Sequence, residues 1–253
     1  MSDTIHRVNH TIKQRRLQVL RVTELTPRMR RITLGGPELA GFTSLGSDDH
    51  IKLLFALTPE QQQAIDARDL GRDGGARPTM REYTPRRIDL QANELDIDFV
   101  LHGDGPASTW AAQATPGQTL DIAGPRASMV VPDIFDSYLL VGDETAIPAI
   151  ARRLEELPTG RQVLAVIQVE DEQERQPLPS KAQVEVIWVR RHEEDLLDRV
   201  RHLALPAGRL YGWIALERTL TRQAKALLLE KGVSEDALKA AAYWRVDGSA
   251  DDE

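Results

Sequence analysis

The pattern of apolar residues changes at residues 132–136, and this change constrains the fold more than any other feature of the chain. Before it, short β-rich runs are separated by turn residues, which is typical of an antiparallel β domain. After it, apolar strand-like runs alternate with amphipathic helical segments, which predicts a mostly parallel sheet covered by helices on both faces. We therefore expect two domains, residues 1–135 and 136–253.

The first domain is predicted to be a small six-stranded antiparallel β-barrel. Residues 58–80 lack apolar periodicity, so they are expected to form a surface excursion whose beginning is helical. One further short helix is expected at residues 107–114. The six strands are expected at residues 17–26, 29–34, 50–57, 81–88, 94–102 and 119–123.

The second domain is predicted to be an α/β domain, and ligands of such sheets bind beyond the carboxyl ends of the parallel strands. Its last helix is expected at residues 235–242, because Ser234 followed by two acidic residues makes a good N-cap. The other helices are expected at residues 146–157, 193–203 and 219–231, and the strands at residues 138–141, 162–169, 184–189 and 210–215.

The composition excludes several kinds of chemistry. The chain has no cysteine, which removes disulfides, thiolate metal sites and iron–sulfur clusters, and the histidine spacings match no metal site. Any redox chemistry must therefore come from a bound organic cofactor. A formal charge of -7 disfavours a nucleic-acid partner. No apolar run approaches the roughly 20 residues that cross a bilayer, and the polar N-terminus has no signal-peptide core, so we expect a cytoplasmic protein.

The first informative motif is Arg81-x-Tyr83-Thr84, which is expected on a strand directly after the surface excursion. The Arg offers a permanent planar charge for a diphosphate, the Tyr ring can pack on a flavin, and the Thr can reach a ring nitrogen. Strand alternation puts Arg81 and Tyr83 on one face. Taken alone, the motif is a weak signal, and an ordinary strand that carries one surface Arg explains it better.

The second motif, His-Gly-Asp-Gly-Pro-Ala-Ser-Thr-Trp at residues 102–110, follows a strand and opens a helix. Glycines let the backbone approach a ligand, and the free amides of a helix start form an anion site suited to a pyrophosphate. A simple Gly-rich turn into a helix explains the same residues. The turn Thr-Pro-Gly-Gln at 115–118 and the segment Asp-Ile-Ala-Gly-Pro-Arg at 121–126 come next.

In this order the segments resemble the siderophore-interacting proteins, a branch of the ferredoxin-reductase-like flavoenzymes. The resemblance extends to residues 48–53, 142–149 and 242–245 and so covers nearly the whole chain. It implies a barrel that binds FAD without a covalent bond, followed by a domain that binds NAD(P)H. It also implies NADPH-dependent reduction of ferric siderophores or other ferric chelates.

The resemblance implies a role for each motif residue. Arg81 holds an FAD phosphate, Tyr83 packs on the flavin, Thr84 contacts the isoalloxazine, and the amides of Ala107 and Ser108 cradle the pyrophosphate. Four further positions count as cofactor-binding by the same resemblance: His102, Gly105, Thr145 and Trp244.

Three basic residues, Lys52, Arg126 and Arg245, occupy the positions of a cationic triad that family members carry near the flavin. A tris-catecholate ferric complex is trianionic and requires a positively charged entrance to its binding site, which agrees with this role. Each of the three is also explained as an ordinary surface cation. No catalytic acid or base is expected, because electron transfer itself needs none.

Two departures from the family affect the nicotinamide cofactor. Leu216 stands where the family has a Gly that lets the nucleotide approach a strand end, and residues 142–148 contain no G-x-G-x-x-G. Arg190 and Arg191 are expected at a strand end, where they are candidates for the 2′-phosphate of NADPH. Alternatively, the two arginines are exposed to solvent and have no role in binding.

Two other functions are compatible with the same sequence. One is a flavin reductase that delivers electrons to a protein or to free flavin, and the other is a siderophore-binding protein without turnover. The sequence leaves open which siderophore is bound, how strongly NADPH is preferred over NADH, and the oligomeric state, for which a monomer is favoured.

Overall fold

The structure is a computed structural model that describes residues 4–69 and 76–246. The chain divides into two compact units, Ile5–Val131 and a second unit that begins at Pro132. This division lies near the domain boundary expected from the change in sequence pattern. None of the helices in the described part of the chain is both long and apolar enough to span a membrane.

The N-terminal unit is an antiparallel β domain with two short helices. Its strands are β1 (His6–Asn9), β2 (Gln14–Thr26), β3 (Met29–Gly35), β4 (Ile51–Phe55), β5 (Thr79–Tyr83), β6 (Arg87–Asp89), β7 (Glu94–Val100), β8 (Thr119–Ala123) and β9 (Ala127–Val130), and its helices are α1 (Pro59–Asp66) and α2 (Pro106–Gln113). Seven strands form one sheet in the order β5-β4-β8-β2-β3-β7-β6, and β1 pairs with β9 in a second.

The prediction of a closed six-stranded barrel is wrong in strand number and in closure. The single strand expected at residues 81–88 is two strands, β5 and β6, which pair with β4 and β7 at opposite edges of the sheet. Pro85 lies between them and has no amide hydrogen to donate to a ladder, so the chain leaves one edge and joins the other. No pairing joins β5 to β6 among the described residues, so hydrogen bonds do not close the sheet.

The two helices of this unit begin where local chemistry predicts. The side chain of Thr58 accepts a hydrogen bond from the amide of Gln61 and caps α1, in agreement with a helical start to the excursion. Residues 70–75 of that excursion lie outside the described residues. Helix α2 packs on the sheet through Trp110, whose ring centroid lies 6.2 Å from that of Phe55 and 5.7 Å from that of Phe99.

The C-terminal unit is an α/β domain with an entirely parallel sheet, as predicted. Its strands are β10 (Ser137–Gly142), β11 (Gln162–Val169), β12 (Gln183–Arg190), β13 (Leu210–Glu217) and β14 (Leu238–Trp244), and its helices are α3 (Ile147–Glu156), α4 (Leu196–His202) and α5 (Arg218–Glu230). The strand order is β12-β11-β10-β13-β14. Right-handed crossovers place α3 on one face of the sheet and α4 with α5 on the other.

The helix predicted at residues 235–242 is wrong. A single 3₁₀ turn at Glu235–Ala237 leads into β14, and Ser234 makes no side-chain cap hydrogen bond. The Ala-rich segment has good intrinsic helix propensity, but β13 would otherwise be an edge strand with unpaired backbone groups. Parallel pairing of β14 with β13 satisfies those groups and overrides the local preference.

The parallel topology places the carboxyl ends of all five strands at one edge of the sheet. The connections from β10 and from β13 run in opposite directions, so the switch point lies between these two neighbours. Gly142 ends β10 there, and a Cβ atom on it would lie 2.5 Å from the Cβ of Ala146. Glycine therefore allows the chain to turn tightly from β10 toward α3 at this edge.

Candidate functional site

The Arg81 motif lies on edge strand β5 of the N-terminal unit. Arg81 is paired with Leu53 and Tyr83 with Ile51, so the two motif residues lie on one face of the strand, as predicted. Both partners belong to the core, so this face is the core side of the sheet. The ring of Tyr83 lies 4.5 Å from that of Phe99, and burial raises the pKa of its phenol. Thr84 is buried. The guanidinium of Arg81 donates to the carbonyl of Met80 at 2.8 Å.

The start of α2 has the geometry of an anion site. The first intrahelical hydrogen bond runs from the amide of Thr109 to the carbonyl of Gly105, so the amides of Ala107 and Ser108 have no acceptor within the helix. Gly103 has a φ of 49°, and a Cβ atom added there or at Gly105 would meet nothing within 4 Å. The turn is therefore open to a ligand that approaches the backbone.

A concavity of about 360 Å³ adjoins this helix start. The hydroxyl of Ser108 accepts the amide of His102 at 2.9 Å, which ties the turn to the helix and leaves the imidazole exposed. Backbone donors without helical acceptors suit a pyrophosphate, so this site fits the FAD that the motif predicts. The lining consists of Leu101, His102, Gly103, Asp104, Ser108, Thr109, Ala112 and Gln113.

Two of the three triad residues lie in this same unit. Lys52, on β4, pairs with Ala123 at the end of β8, and Arg126 follows that end by one short loop. The topology thus places both cations at one end of the β4–β8 pair. The Lys52 ammonium lies 3.8 Å from the carboxylate of Glu82, and Arg126 is exposed. Arg245 follows β14 in the C-terminal unit, and its membership of the triad stays a prediction.

In the C-terminal unit, the buried carboxylate of Asp143 organises the end of β10. It accepts the amide of Thr145 at 2.9 Å and its hydroxyl at 2.6 Å, and it accepts the indole N–H of Trp244 at 2.7 Å. Burial raises the pKa of Asp143, and these donors oppose the rise. Thr145 and Trp244 therefore use these polar groups within the fold, while Trp244 as a residue keeps 36% exposure.

Arg190 and Arg191 lie at the end of β12 as predicted, but both already have carboxylate partners. Arg190 pairs with Glu193 at 2.6 Å. Arg191 pairs with Glu144 at 2.5 Å and with Glu170 at 3.3 Å, so it links the ends of β10 and β11 to β12. Burial raises the pKa of Glu144, and the charge of Arg191 opposes the rise. A nucleotide phosphate would have to compete with these carboxylates.

Leu216 does not obstruct the strand end, because its side chain is fully buried in the core beneath α5. The next residue, Glu217, turns its carboxylate onto the amides of Thr219 at 2.6 Å and Leu220 at 3.2 Å, and so caps α5. This role was not predicted from the sequence, since Glu is not among the preferred N-cap residues. Asp143 and Glu144 were not predicted either, although both precede a predicted helix.

A second concavity, of about 550 Å³, lies at this carboxyl edge within the C-terminal unit. It brings together three residues predicted from the sequence, Arg191, Trp244 and Arg245, with Arg218, which was not predicted. We call it the α5 pocket. Its lining consists of Arg191, Glu217, Arg218, Thr219, Leu220, Trp244, Arg245 and Val246.

Comparison with known proteins finds two family matches that together span most of the chain. Residues 18–129 match the siderophore-interacting FAD-binding domain, and residues 135–247 match the siderophore-interacting protein model. More distant solved structures share the ferredoxin-reductase-like arrangement of an FAD-binding domain followed by a parallel-sheet domain.

Similar individual proteins match over nearly their full lengths. The NADPH-dependent ferric-chelate reductase of Escherichia coli is 36% identical over 94% of this chain and 95% of its own. The ferric vibriobactin reductase ViuB of Vibrio cholerae is 30% identical over 97% of this chain and 93% of its own. The crystal structure of a siderophore utilization protein from T. fusca is 37% identical, covers 97% of both chains and has a TM-score of 0.86.

Proposed function

Because the chain belongs to the siderophore-interacting protein family, we propose that it is an FAD-dependent reductase that transfers electrons from NADPH to ferric siderophores or other ferric chelates. The observation in the structure that carries the proposal is the start of α2, where a Gly-rich turn and free amides adjoin an open concavity. The ferric-chelate reductase and ferric vibriobactin reductase among the similar proteins support the reaction. The family resemblance inferred from the motifs is confirmed.

FAD, when bound, would accept a hydride from NADPH and pass electrons one at a time to ferric iron. The residues of the chain bind and orient the reactants. The amides of Ala107 and Ser108 hold the pyrophosphate, Arg81 adds a cation for a phosphate, and Tyr83 with Thr84 borders the isoalloxazine. We assign the FAD-binding domain to residues 1–135 and the NAD(P)H-binding domain to residues 136–253.

The acceptor is proposed to dock through Lys52, Arg126 and Arg245. Three cations attract a trianionic ferric chelate, because a local positive potential raises both the concentration of the chelate at the site and its rate of association. The exposure of Arg126 and the partial exposure of the Lys52 side chain support this role. No proton transfer by the protein is needed for the electron to reach the iron. We place the reaction in the cytoplasm, where NADPH is supplied.

NADPH is proposed to lie across the carboxyl edge of the parallel sheet, with its 2′-phosphate at Arg190 and Arg191. Neutralising Arg190 alone tests this role, because its partner Glu193 is exposed, whereas Arg191 neutralises the buried Glu144. Arg190→Gln is expected to raise the KM for NADPH and to leave the KM for NADH unchanged. Equal effects on the two nucleotides would show that Arg190 does not contact the 2′-phosphate.

The experiment that tests the proposed function combines a spectrum with an assay. Purified protein should be yellow, and the released cofactor should elute as FAD on chromatography. NADPH oxidation should be stimulated by a ferric catecholate and should release ferrous iron, which a colorimetric ferrous chelator captures. If electrons are delivered only to free flavin or to a protein, the protein is instead a flavin reductase. If the chelate binds but is not turned over, the protein is a siderophore-binding protein.

A further inference from the structure

The α5 pocket contains an arginine that the proposed function does not use. Arg218 is the first residue of α5, is exposed, and lines the pocket of about 550 Å³. It has no carboxylate partner among the residues that the structure describes. In this it differs from Arg191 in the same lining, which is neutralised by Glu144 and Glu170.

The one acidic residue of the pocket lining does not neutralise Arg218. The carboxylate of Glu217 accepts the amides of Thr219 and Leu220, at 2.6 Å and 3.2 Å, and is therefore committed to the positive end of the α5 dipole. Arg245 adds a further cation to the lining. The pocket consequently presents an excess of positive charge to a ligand.

The remaining lining gives the pocket an aromatic and aliphatic side. Trp244 donates its indole N–H to the carboxylate of Asp143 at 2.7 Å, and this hydrogen bond fixes the orientation of its ring. Leu220 and Val246 border the pocket next to it. A fixed aromatic ring beside guanidinium groups suits a ligand that carries both negative charge and flat aromatic groups, because each group finds a matching partner.

We propose that the α5 pocket binds an aromatic polyanion and that Arg218 supplies a charge contact to it. The inference rests on the proposed function, which brings two molecules of this chemistry to the protein. One is a catecholate ferric chelate, and the other is NADPH with its phosphates. The shared chemistry is an aromatic ligand with several negative charges, and the experiment below distinguishes the two sources.

The chain offers a matched control for Arg218. Arg222 lies one turn later on the same helix, is also exposed, and has no carboxylate partner in the described part of the chain, but it does not line the pocket. The variants Arg218→Gln and Arg222→Gln each remove one positive charge from α5. Any effect of net charge is therefore common to both, and a difference in affinity between them reports on the pocket.

Binding is measured by isothermal titration calorimetry on the FAD-loaded protein with two redox-inert probes. A gallium(III) tris-catecholate complex stands for the ferric chelate, and adenosine 2′,5′-bisphosphate stands for the nucleotide. Arg218→Gln is expected to weaken one probe about fivefold relative to Arg222→Gln, the effect of one contact charge in a wet site. This difference should shrink in high salt. Weaker gallium binding identifies the chelate as occupant, and weaker bisphosphate binding identifies NADPH.

Two results overturn the inference: equal affinities of both variants for both probes, or no binding of either probe by the parent protein. The proposed function is tested separately by NADPH oxidation with a ferric catecholate. If the parent protein turns over and the two variants bind both probes alike, the proposed reductase activity is supported and the proposed role of Arg218 in the pocket is rejected. If the parent protein binds a probe through Arg218 but shows no turnover, the role of Arg218 is supported and the proposed reductase activity is rejected.

Discussion

At the residue scale, Glu94 shows how the charges of the N-terminal unit are organised. Its carboxylate forms two hydrogen bonds with Arg21, at 2.6 Å and 2.8 Å, and also contacts Arg87. These hydrogen bonds, that of Arg21 first, lower the pKa of Glu94 from 4.5 to about 2. The ionised form is therefore favoured in the folded protein.

This lowered pKa predicts a defined loss of stability in acid. The contribution of Glu94 is fully present above pH 4.5 and is lost as the pH falls toward about 2, because the unfolded chain binds the proton first. Glu94→Gln should therefore flatten the decline of the urea midpoint over this pH range. Glu24→Gln is the control, because the Glu24 carboxylate that pairs with Arg30 is highly exposed, and it should decline like the parent. A parent-like decline in Glu94→Gln would contradict the prediction.

Arg81 carries a second prediction at the residue scale. Its guanidinium donates a hydrogen bond to the carbonyl of Met80 and forms no ion pair among the residues that the structure describes, so β5 does not depend on it for an ion pair. Arg81→Ala should weaken FAD binding by about tenfold, the loss of one hydrogen-bonded charge contact, with little change in the melting temperature of the apoprotein. Fluorescence titration of the apoprotein with FAD measures this. Arg77→Ala, exposed just before β5, should bind FAD like the parent.

At the scale of the element, α5 depends on an unusual cap. Glu217 is buried, and its carboxylate accepts hydrogen bonds from two amides of the first turn of the helix. Helix α5 in turn contributes Ala224 and Leu228 to the core, where they pack with Leu216. The cap therefore holds in place both the helix and the wall of the α5 pocket.

Removing this cap should destabilise the protein. Glu217→Ala leaves the amides of Thr219 and Leu220 without an acceptor and is expected to cost about 1 kcal/mol in the free energy of unfolding. Glu230→Ala, at the exposed far end of α5, should stay within about 0.5 kcal/mol of the parent. Urea unfolding measures both. Equal effects of the two variants would show that the cap contributes nothing specific.

At the scale of the whole molecule, the three cations proposed to dock the chelate are distributed over both units. Lys52 and Arg126 belong to the unit Ile5–Val131, and Arg245 belongs to the unit that begins at Pro132. A reductase of this kind must also present the flavin to NADPH and to the acceptor. Chelate docking and flavin reduction are separate steps, so they can be measured separately.

Neutralising Lys52, Arg126 or Arg245 one at a time should therefore affect only the acceptor step. The KM for a trianionic catecholate should rise, and its dependence on salt should weaken, since screening at 0.1 M ionic strength acts over about 10 Å. Stopped-flow reduction of the flavin by NADPH should stay at the parent rate. A neutral chelate is the control substrate. An unchanged KM, or an equal slowing of flavin reduction, would remove the triad from the mechanism.

Much of this architecture could be read from local sequence. The strand at Gln162–Val169 has the predicted bounds, and the alternation of strands and helices correctly predicted a parallel sheet. These features depend on apolar periodicity and turn residues, which act over a few positions. The helix start in the motif at residues 102–110 could likewise be predicted, because a Gly-rich turn and the first turn of the helix lie within one short segment.

Features that join distant segments were decided by the tertiary structure alone. Residues 238–244 form a strand because β13 offers an unpaired edge, and the run at 81–88 is divided because its halves reach opposite edges of one sheet. The ion pair between Arg191 and Glu144 joins segments that are far apart in the chain. The hydrogen bond from Trp244 to Asp143 does the same. Neither pairing has a local signal, because side chains meet there only after five strand ends have been brought to one edge.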